Sequence, residues 1–150
     1  MSDTALSRVP AIDGWFTIDD EPHLIGTRCG DTGSIFFPPE RNSSRAPGHL
    51  DATLTDVPLS TRGRLWSYTN AGYQPPAPFV PQSDPYVPFC IAAVELEAEQ
   101  IVILGQCPAG VTVDDLKVGM AMELVIDTLD RTEDSELLMW KWQPLGWSAP

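Results

Sequence analysis

The sequence predicts a mainly β fold in which residues 61–150 form a small closed barrel of five strands. Three observations predict it. Five segments have strand-like composition, one helical turn stands between the third and the fourth, and 11 Gly and 15 Pro supply turns while 43% of the residues remain hydrophobic. This order is the layout of an OB-type barrel. A simple five- or six-stranded meander or sandwich remains the alternative.

Each of the five segments has the pattern of a strand. The first is rich in aromatic and β-branched residues, and the second and third are apolar runs separated by Glu97-Ala98-Glu99, which is the composition of a hairpin. The fourth and fifth alternate apolar with polar residues. The predicted strands are 63–69, 89–96, 100–106, 120–129 and 136–143.

The helical turn is predicted within residues 111–119. Thr112 is the N-cap, Asp114 and Asp115 occupy the first turn, and Gly119 ends it. The two adjacent carboxylates resemble an acid–base pair, but acids at a helix start are ordinarily stabilised by its dipole. We therefore expect a structural role for both.

Residues 1–60 differ from the rest and are predicted to be a separate N-terminal part, with the barrel domain at 61–150. Residues 10–25 contain apolar side chains, but Gly14 and Pro22 limit any helix there to one short segment, which we include in the predicted fold. Residues 29–49 have loop chemistry around one apolar knuckle at 35–37. Such a segment could not bury a core alone and needs a metal or a neighbouring domain for its order.

Charge and composition exclude several classes of function. The net charge is −12, and the part from Arg28 to Arg64 is the only one that is not acidic. A polyanion would be repelled, so neither nucleic acid nor an anionic membrane is expected as a partner. The longest apolar runs are far shorter than the ~18–20 residues that cross a bilayer, and the N-terminus lacks the pattern of a signal peptide. Three cysteines, an odd number, favour a reducing compartment, and a cytoplasmic location is expected.

The region around this knuckle, residues 29–49, is a candidate metal site, because zinc ribbons hold the ion with two cysteine-like pairs. The corresponding positions here are Cys29, Thr32, Ser44 and His49, of which only Cys29 and His49 are competent ligands. Two ligands do not close a tetrahedral zinc site. The sequence therefore predicts no metal and no other cofactor.

No autonomous catalytic centre is predicted, because a nucleophile needs a nearby base and an orienting group. Cys90 lies in an apolar strand run, and Cys107 has no basic neighbour in sequence. Cys29 with His49 is the one conceivable Cys–His pair, and a remnant of a zinc ribbon is the preferred interpretation of it. No catalytic residue is therefore assigned to this chain.

Several motifs together resemble a known family. They are HLIGTRC, Gly33, FFPPER, RGRLWSYT, PYVPFCIAAVEL, VILGQ and DDLKVGMAMEL, in this order over residues 20–143. The chain is similar to small proteins in which a rubredoxin-like zinc ribbon precedes an OB fold, and which accompany thiolases, thiolase-like aldolases and hydroxymethylglutaryl-CoA synthases. The family pattern expects four cysteines at the four metal positions named above, and three of these are absent, so the resemblance carries the fold but not the zinc.

The resemblance implies a partner subunit. In this family the thiolase-like large subunit carries the catalytic residues, and the small chain packs on it, often in a two-plus-two assembly, and shapes the acyl-CoA pocket. The first expectation is a retro-aldolase of steroid side-chain degradation, and a thiolase or a synthase of the hydroxymethylglutaryl type is the alternative. A free-standing OB binding module for nucleic acid or oligosaccharide is a second class of function, of which the charge disfavours the nucleic-acid branch.

Two sets of residues are candidates for these contacts. Aromatic side chains are enriched at protein interfaces, although the tryptophans could equally be core residues and the Pro-rich segment 72–85 a plain surface loop. Arginines could bind CoA phosphates, or could pair with the abundant acids instead. The interface candidates are Tyr73, Phe79, Tyr86, Phe36, Phe37, Trp140 and Trp142, and the phosphate candidates are Arg41, Arg45, Arg62 and Arg64.

Overall fold

The computed structural model describes residues 7–71 and 88–147, and it is mainly β. A small antiparallel sheet lies before the barrel in sequence, and one strand precedes both. The strands are β1 (Ser7–Pro10), β2 (Ile25–Cys29), β3 (Ile35–Phe36), β4 (Leu54–Pro58), β5 (Arg62–Ala71), β6 (Phe89–Leu96), β7 (Ile101–Gln106), β8 (Ala121–Arg131) and β9 (Ser135–Pro144).

Strands β5 to β9 close into a five-stranded OB-like barrel. Antiparallel pairs join β5 to β6, β6 to β7, β8 to β9 and β5 to β8, and a parallel contact at Gln106 and Lys141 joins β7 to β9. The five predicted strands are thereby confirmed as a closed barrel, and the open meander and the sandwich are excluded. Period-two alternation sets the interior, since Cys90, Ala92, Val94 and Leu96 on β6 all lie in the core.

The helical turn between the third and fourth barrel strands is confirmed as a 3-10 turn, Val113–Asp115. Thr112 caps it, and its backbone N–H donates to Asp115 Oδ2 over 2.9 Å. Asp114 and Asp115 both lie in the first turn and are exposed, as expected of acids that stabilise a turn start.

The prediction of a short N-terminal helical segment is wrong. The described residues of this part form backbone hydrogen bonds with β9 and with one another instead. β1 runs parallel to β9, and the Ala11 N–H donates to the Leu138 carbonyl over 2.7 Å. The Ile25 N–H donates to the Trp15 carbonyl over 2.7 Å, and Phe16 forms a bridge with Leu24. These hydrogen bonds satisfy backbone groups that a helix would have used.

The small sheet has the order β3-β2-β4 and packs against the barrel through a shared core. Phe16, Leu24 and Leu59 are at most 3% exposed and belong to the same buried cluster as Trp142 on β9. Glu99, in the β6 to β7 turn, fixes the connection between sheet and barrel, because its Oε1 accepts hydrogen bonds from both the N–H and the hydroxyl of Ser60. No helix in the described residues is long and apolar enough to cross a membrane.

Candidate functional site

Hydrogen bonds organise the segment that carries the four positions at which the resemblance expects zinc ligands. The Cys29 carbonyl accepts from the Gly33 N–H over 2.8 Å, and the Ser44 Oγ accepts from the Ala46 N–H over 3.1 Å. Cys29 is fully covered and Ser44 is buried. Hydrogen bonds of the Ser44 side chain and then of the Thr32 side chain lower the pKa of the Cys29 thiol to about 7. Cys29, Thr32 and Ser44, three of the four remnant positions, therefore lie close together.

His49, the fourth remnant position, is engaged elsewhere. Its Nδ1 lies 3.2 Å from Asp31 Oδ2, within hydrogen-bond distance, and the two half-exposed side chains border an open cavity of about 400 Å³. Within residues 7–71 and 88–147 no cluster of three or more His, Cys, Asp or Glu side chains could hold a metal ion. One thiol with two hydroxyls is a poor donor set for zinc, which binds thiolate and imidazole. The residues present do not fit the family's zinc.

The two barrel cysteines lie in surroundings that disfavour the reactive thiolate. The pKa of Cys107 is raised to about 12, mainly by burial and secondarily by the neighbouring Cys90. The positive charge of Lys141 opposes this shift. Burial, and next the Asp115 charge, also raise the pKa of Cys90. Lys141 itself is 3% exposed and its Nζ is bound 3.0 Å from Asp127 Oδ2. Both thiols therefore serve as small buried side chains in this arrangement.

An aromatic cluster joins the small sheet to the barrel. Phe37 packs edge-on against Trp140 and Trp15, with ring centroids 5.6 Å apart in each pair. Phe16 makes a similar contact with Trp140 at 5.8 Å. Such spacings and tilts are the favourable ones for aromatic pairs. The cluster therefore fixes the position of the knuckle segment on β9.

The structure places the predicted interface residues in three kinds of position. Trp140 and Trp142 are 6% and 0% exposed, so both indoles lie in the core, which was the alternative for them. Phe36 and Phe37 are half-buried. Tyr73, Phe79 and Tyr86 lie outside the described residues, and their role in assembly stays a prediction.

Three of the four phosphate candidates bind carboxylates. Arg41 contacts Asp56 at 3.2 Å, and Arg45 contacts Glu40 at 3.4 Å. Arg64 Nε donates to Glu97 Oε1 over 2.9 Å. These pairs are largely exposed and individually weak. Arg62, in contrast, is exposed and has no ion pair to another described residue.

One surface was missed by the sequence reasoning. Trp66 on β5 and Leu104 on β7 are 60% and 63% exposed, and Val102 on β7 is 43% exposed. The signal was available in the unbroken apolar run 101–104, because a strand that needs cover on only one face normally alternates apolar with polar residues.

Comparisons with known proteins find the same two parts in the same order. The family model for the rubredoxin-like zinc ribbon domain of ChsH2 matches residues 16–42, and the model for the C-terminal OB-fold domain of ChsH2 matches residues 56–127. A DUF35 domain-containing scaffold protein of Methanocaldococcus jannaschii is 26% identical over 136 residues, covering 89% of this chain and 90% of that protein. Among solved structures, a chain of the Ltp2-ChsH2(DUF35) aldolase is similar with a TM-score of 0.59 and 23% identity, covering 82% of this chain and 85% of that one.

Proposed function

Because the chain belongs to the family in which a rubredoxin-like zinc ribbon precedes a ChsH2-type OB fold, we propose that it is the non-catalytic partner subunit of a thiolase-like enzyme. The similarity to a chain of an aldolase assembly, over most of both chains, carries this proposal. The chemistry of the site supports it. The thiols of Cys90 and Cys107 in the barrel are buried and have raised pKa values. The remaining cysteine, Cys29, has side-chain hydroxyls as its hydrogen-bond partners.

More specifically, we propose that the enzyme formed with the large subunit is a retro-aldolase that cleaves a β-hydroxyacyl-CoA in steroid side-chain degradation. The small subunit would stabilise the large one and shape its acyl-CoA pocket in a two-plus-two assembly. Arg62, exposed and without an ion pair among the described side chains, is the best placed of the four arginines to bind a CoA phosphate. Three cysteines that are all free and buried agree with a cytoplasmic location.

An accessory subunit of a thiolase or of a hydroxymethylglutaryl-CoA synthase complex is the second candidate. The similarity to a DUF35 domain-containing scaffold protein supports it, because that description, unlike the description of the similar solved structure, names no aldolase. Both candidates share the same requirement, which is a stable complex with a large thiolase-like chain.

Co-expression with candidate thiolase-like chains from the same genome tests the proposal. We expect the two chains to co-elute in gel filtration with a mass that fits two of each, and the complex to cleave a β-hydroxyacyl-CoA that neither chain cleaves alone. Thiolytic or synthase activity of the complex would favour the second candidate. No complex, together with binding of single-stranded DNA or an oligosaccharide by this chain alone, would establish a free-standing OB module instead.

A further inference from the structure

We propose that the outer face of β5, β6 and β7, centred on Trp66 and Leu104, is the surface on which the large subunit docks. This inference rests on the proposed function and names the surface that would perform it. We call it the outer apolar face and define it as Trp66, Ile91, Ala93, Val102 and Leu104.

A β-bulge displays the central indole. In the pairing of β5 with β6, Leu65 lies opposite Val94 and Ser67 opposite Ala93, so Trp66 is the extra residue between them. Leu65 points into the core and is 1% exposed, whereas Trp66 is 60% exposed. Bulges re-aim side chains in this way, and a large indole left in water is costly unless something covers it.

The strand register puts the other members of this face beside Trp66. Leu104 lies directly opposite Ala93, and Val102 lies opposite Glu95. Ala93 is only 6% exposed although it lies outside the core cluster. Its neighbours therefore already cover it on the outer side. Strands are about 4.8 Å apart, so these side chains form one continuous patch and not isolated apolar spots.

Charge identifies the kind of occupant. Glu95 lies opposite Val102 on β7 and opposite Arg64 on β5, and Arg64 pairs with Glu97, so one cation and two anions border this end of the face. The whole chain carries −12, so a second copy would bring one acidic border against another. The fitting occupant is a different protein with an apolar centre and basic groups around it. A thiolase-like subunit with such a face meets this description.

The size of the face agrees with a role at the centre of an interface. Standard interfaces bury about 800 Å² on each partner, with an apolar core and a polar rim. The exposed side chains of Trp66, Leu104 and Val102 would supply the core of such an area, and the acidic border supplies part of the rim. Binding energy concentrates in large aromatic residues, and Trp66 is the aromatic residue of this face.

The experiment measures the affinity of the large subunit for single variants of the full chain. We expect Trp66→Ala and Leu104→Glu each to raise the Kd at least about 30-fold, which is the usual effect of an interface hot spot. Leu50→Glu is the matched control, since Leu50 is 66% exposed but lies outside this face, and it should stay within about threefold of wild type. Glu95→Gln should slow association and reduce its salt dependence.

Each other occupant gives a distinct result. If the wild-type chain binds the large subunit and both variants bind equally well, the proposed function stands and this docking surface is refuted. A concentration-dependent dimer of the isolated chain that Leu104→Glu abolishes would assign the face to a second copy. A fall in the isolated chain's Tm on Trp66→Ala or Leu104→Glu that matches the loss of binding would assign it to another part of this chain. If the wild-type chain binds no large subunit, the proposed function itself fails.

Discussion

Gly105 on β7 is a position where no side chain fits. A Cβ there would lie 2.7 Å from Trp142 Cδ1 and 3.0 Å from Trp140 Nε1, and Trp142 is completely buried. We expect Gly105→Ala to lower the free energy of unfolding by about 1–3 kcal/mol, the usual cost of overpacking. Gly30→Ala is the control, because its closest contact would be 3.3 Å from the Thr53 carbonyl oxygen. Urea unfolding of both variants measures the difference, and an equal loss in the two would contradict the packing argument.

The Cys29 thiol is predicted to make stability depend on pH. Its pKa is lowered from 9.0 to about 7 in the folded chain, first by the Ser44 hydrogen bond, so the folded state holds the thiolate better than the unfolded state does. The stabilisation is therefore complete above about pH 9 and is lost as the pH falls through about 7. We expect the stability difference between wild type and Cys29→Ala to grow from pH 6 to pH 9 in urea titrations.

Cys90→Ala provides the opposite control for the same titration. Burial raises the pKa of the Cys90 thiol, so the folded state disfavours the thiolate, in contrast to Cys29. The contribution of the neutral Cys90 thiol to the free energy of unfolding is therefore present below its unfolded pKa of about 9 and declines only as the pH rises through that value. The stability difference between wild type and Cys90→Ala should not grow from pH 6 to pH 9. A Cys29 difference that is flat over the same range would refute the hydrogen-bonded thiolate.

At the scale of elements, local patterns predicted the barrel strands and missed contacts that are distant in sequence. The second predicted strand coincides with Phe89–Leu96, and the cap residue Thr112 is correct, because both depend on neighbours within a few residues. The N-terminal pairing of β1 with β9 depends on residues more than 120 positions apart, which no local pattern reveals. The exposure of Trp66 depends on a β-bulge in β5. The position of this bulge depends on the pairing of β5 with β6, which local sequence patterns do not show.

The aromatic cluster makes the small sheet and the barrel one cooperative unit. Phe37 reaches Trp140 on β9, and both belong to or pack against the single core. We expect Phe37→Ala to lower the free energy of unfolding of the whole chain by about 2 kcal/mol, less than a fully buried Phe because Phe37 is half-buried.

Phe36→Ala is the neighbouring control for this prediction. Phe36 is also half-buried but is not among the side chains that pack on the core, so its loss should be smaller. Thermal unfolding followed by near-ultraviolet and far-ultraviolet signals should give one coincident transition for both variants. Separate transitions in the Phe37 variant would show that the sheet and the barrel unfold independently.

At the scale of the whole molecule, packing on the barrel supports the segment that carries the predicted remnant positions, whose donor set does not fit zinc. Its strands share a core with β5 to β9, while one thiol and two hydroxyls occupy the former ligand positions. We expect elemental analysis after gel filtration in metal-replete buffer to find well under one zinc per chain, and chelation to leave the Tm unchanged. Close to one zinc per chain, lost together with the fold on chelation, would contradict this.

The division of labour between two chains gives the last prediction. Cys90 and Cys107 are buried with raised pKa values, and the Cys29 side chain is 0% exposed. This chain alone should therefore neither cleave nor condense an acyl-CoA. Serine at any one of the three positions should leave turnover of the assembled complex within about tenfold, which corresponds to about 1.4 kcal/mol in the barrier. Steady-state assays of the complex, with circular dichroism to establish folding, measure this. A loss of several orders of magnitude in a folded variant would place the chemistry in this chain after all.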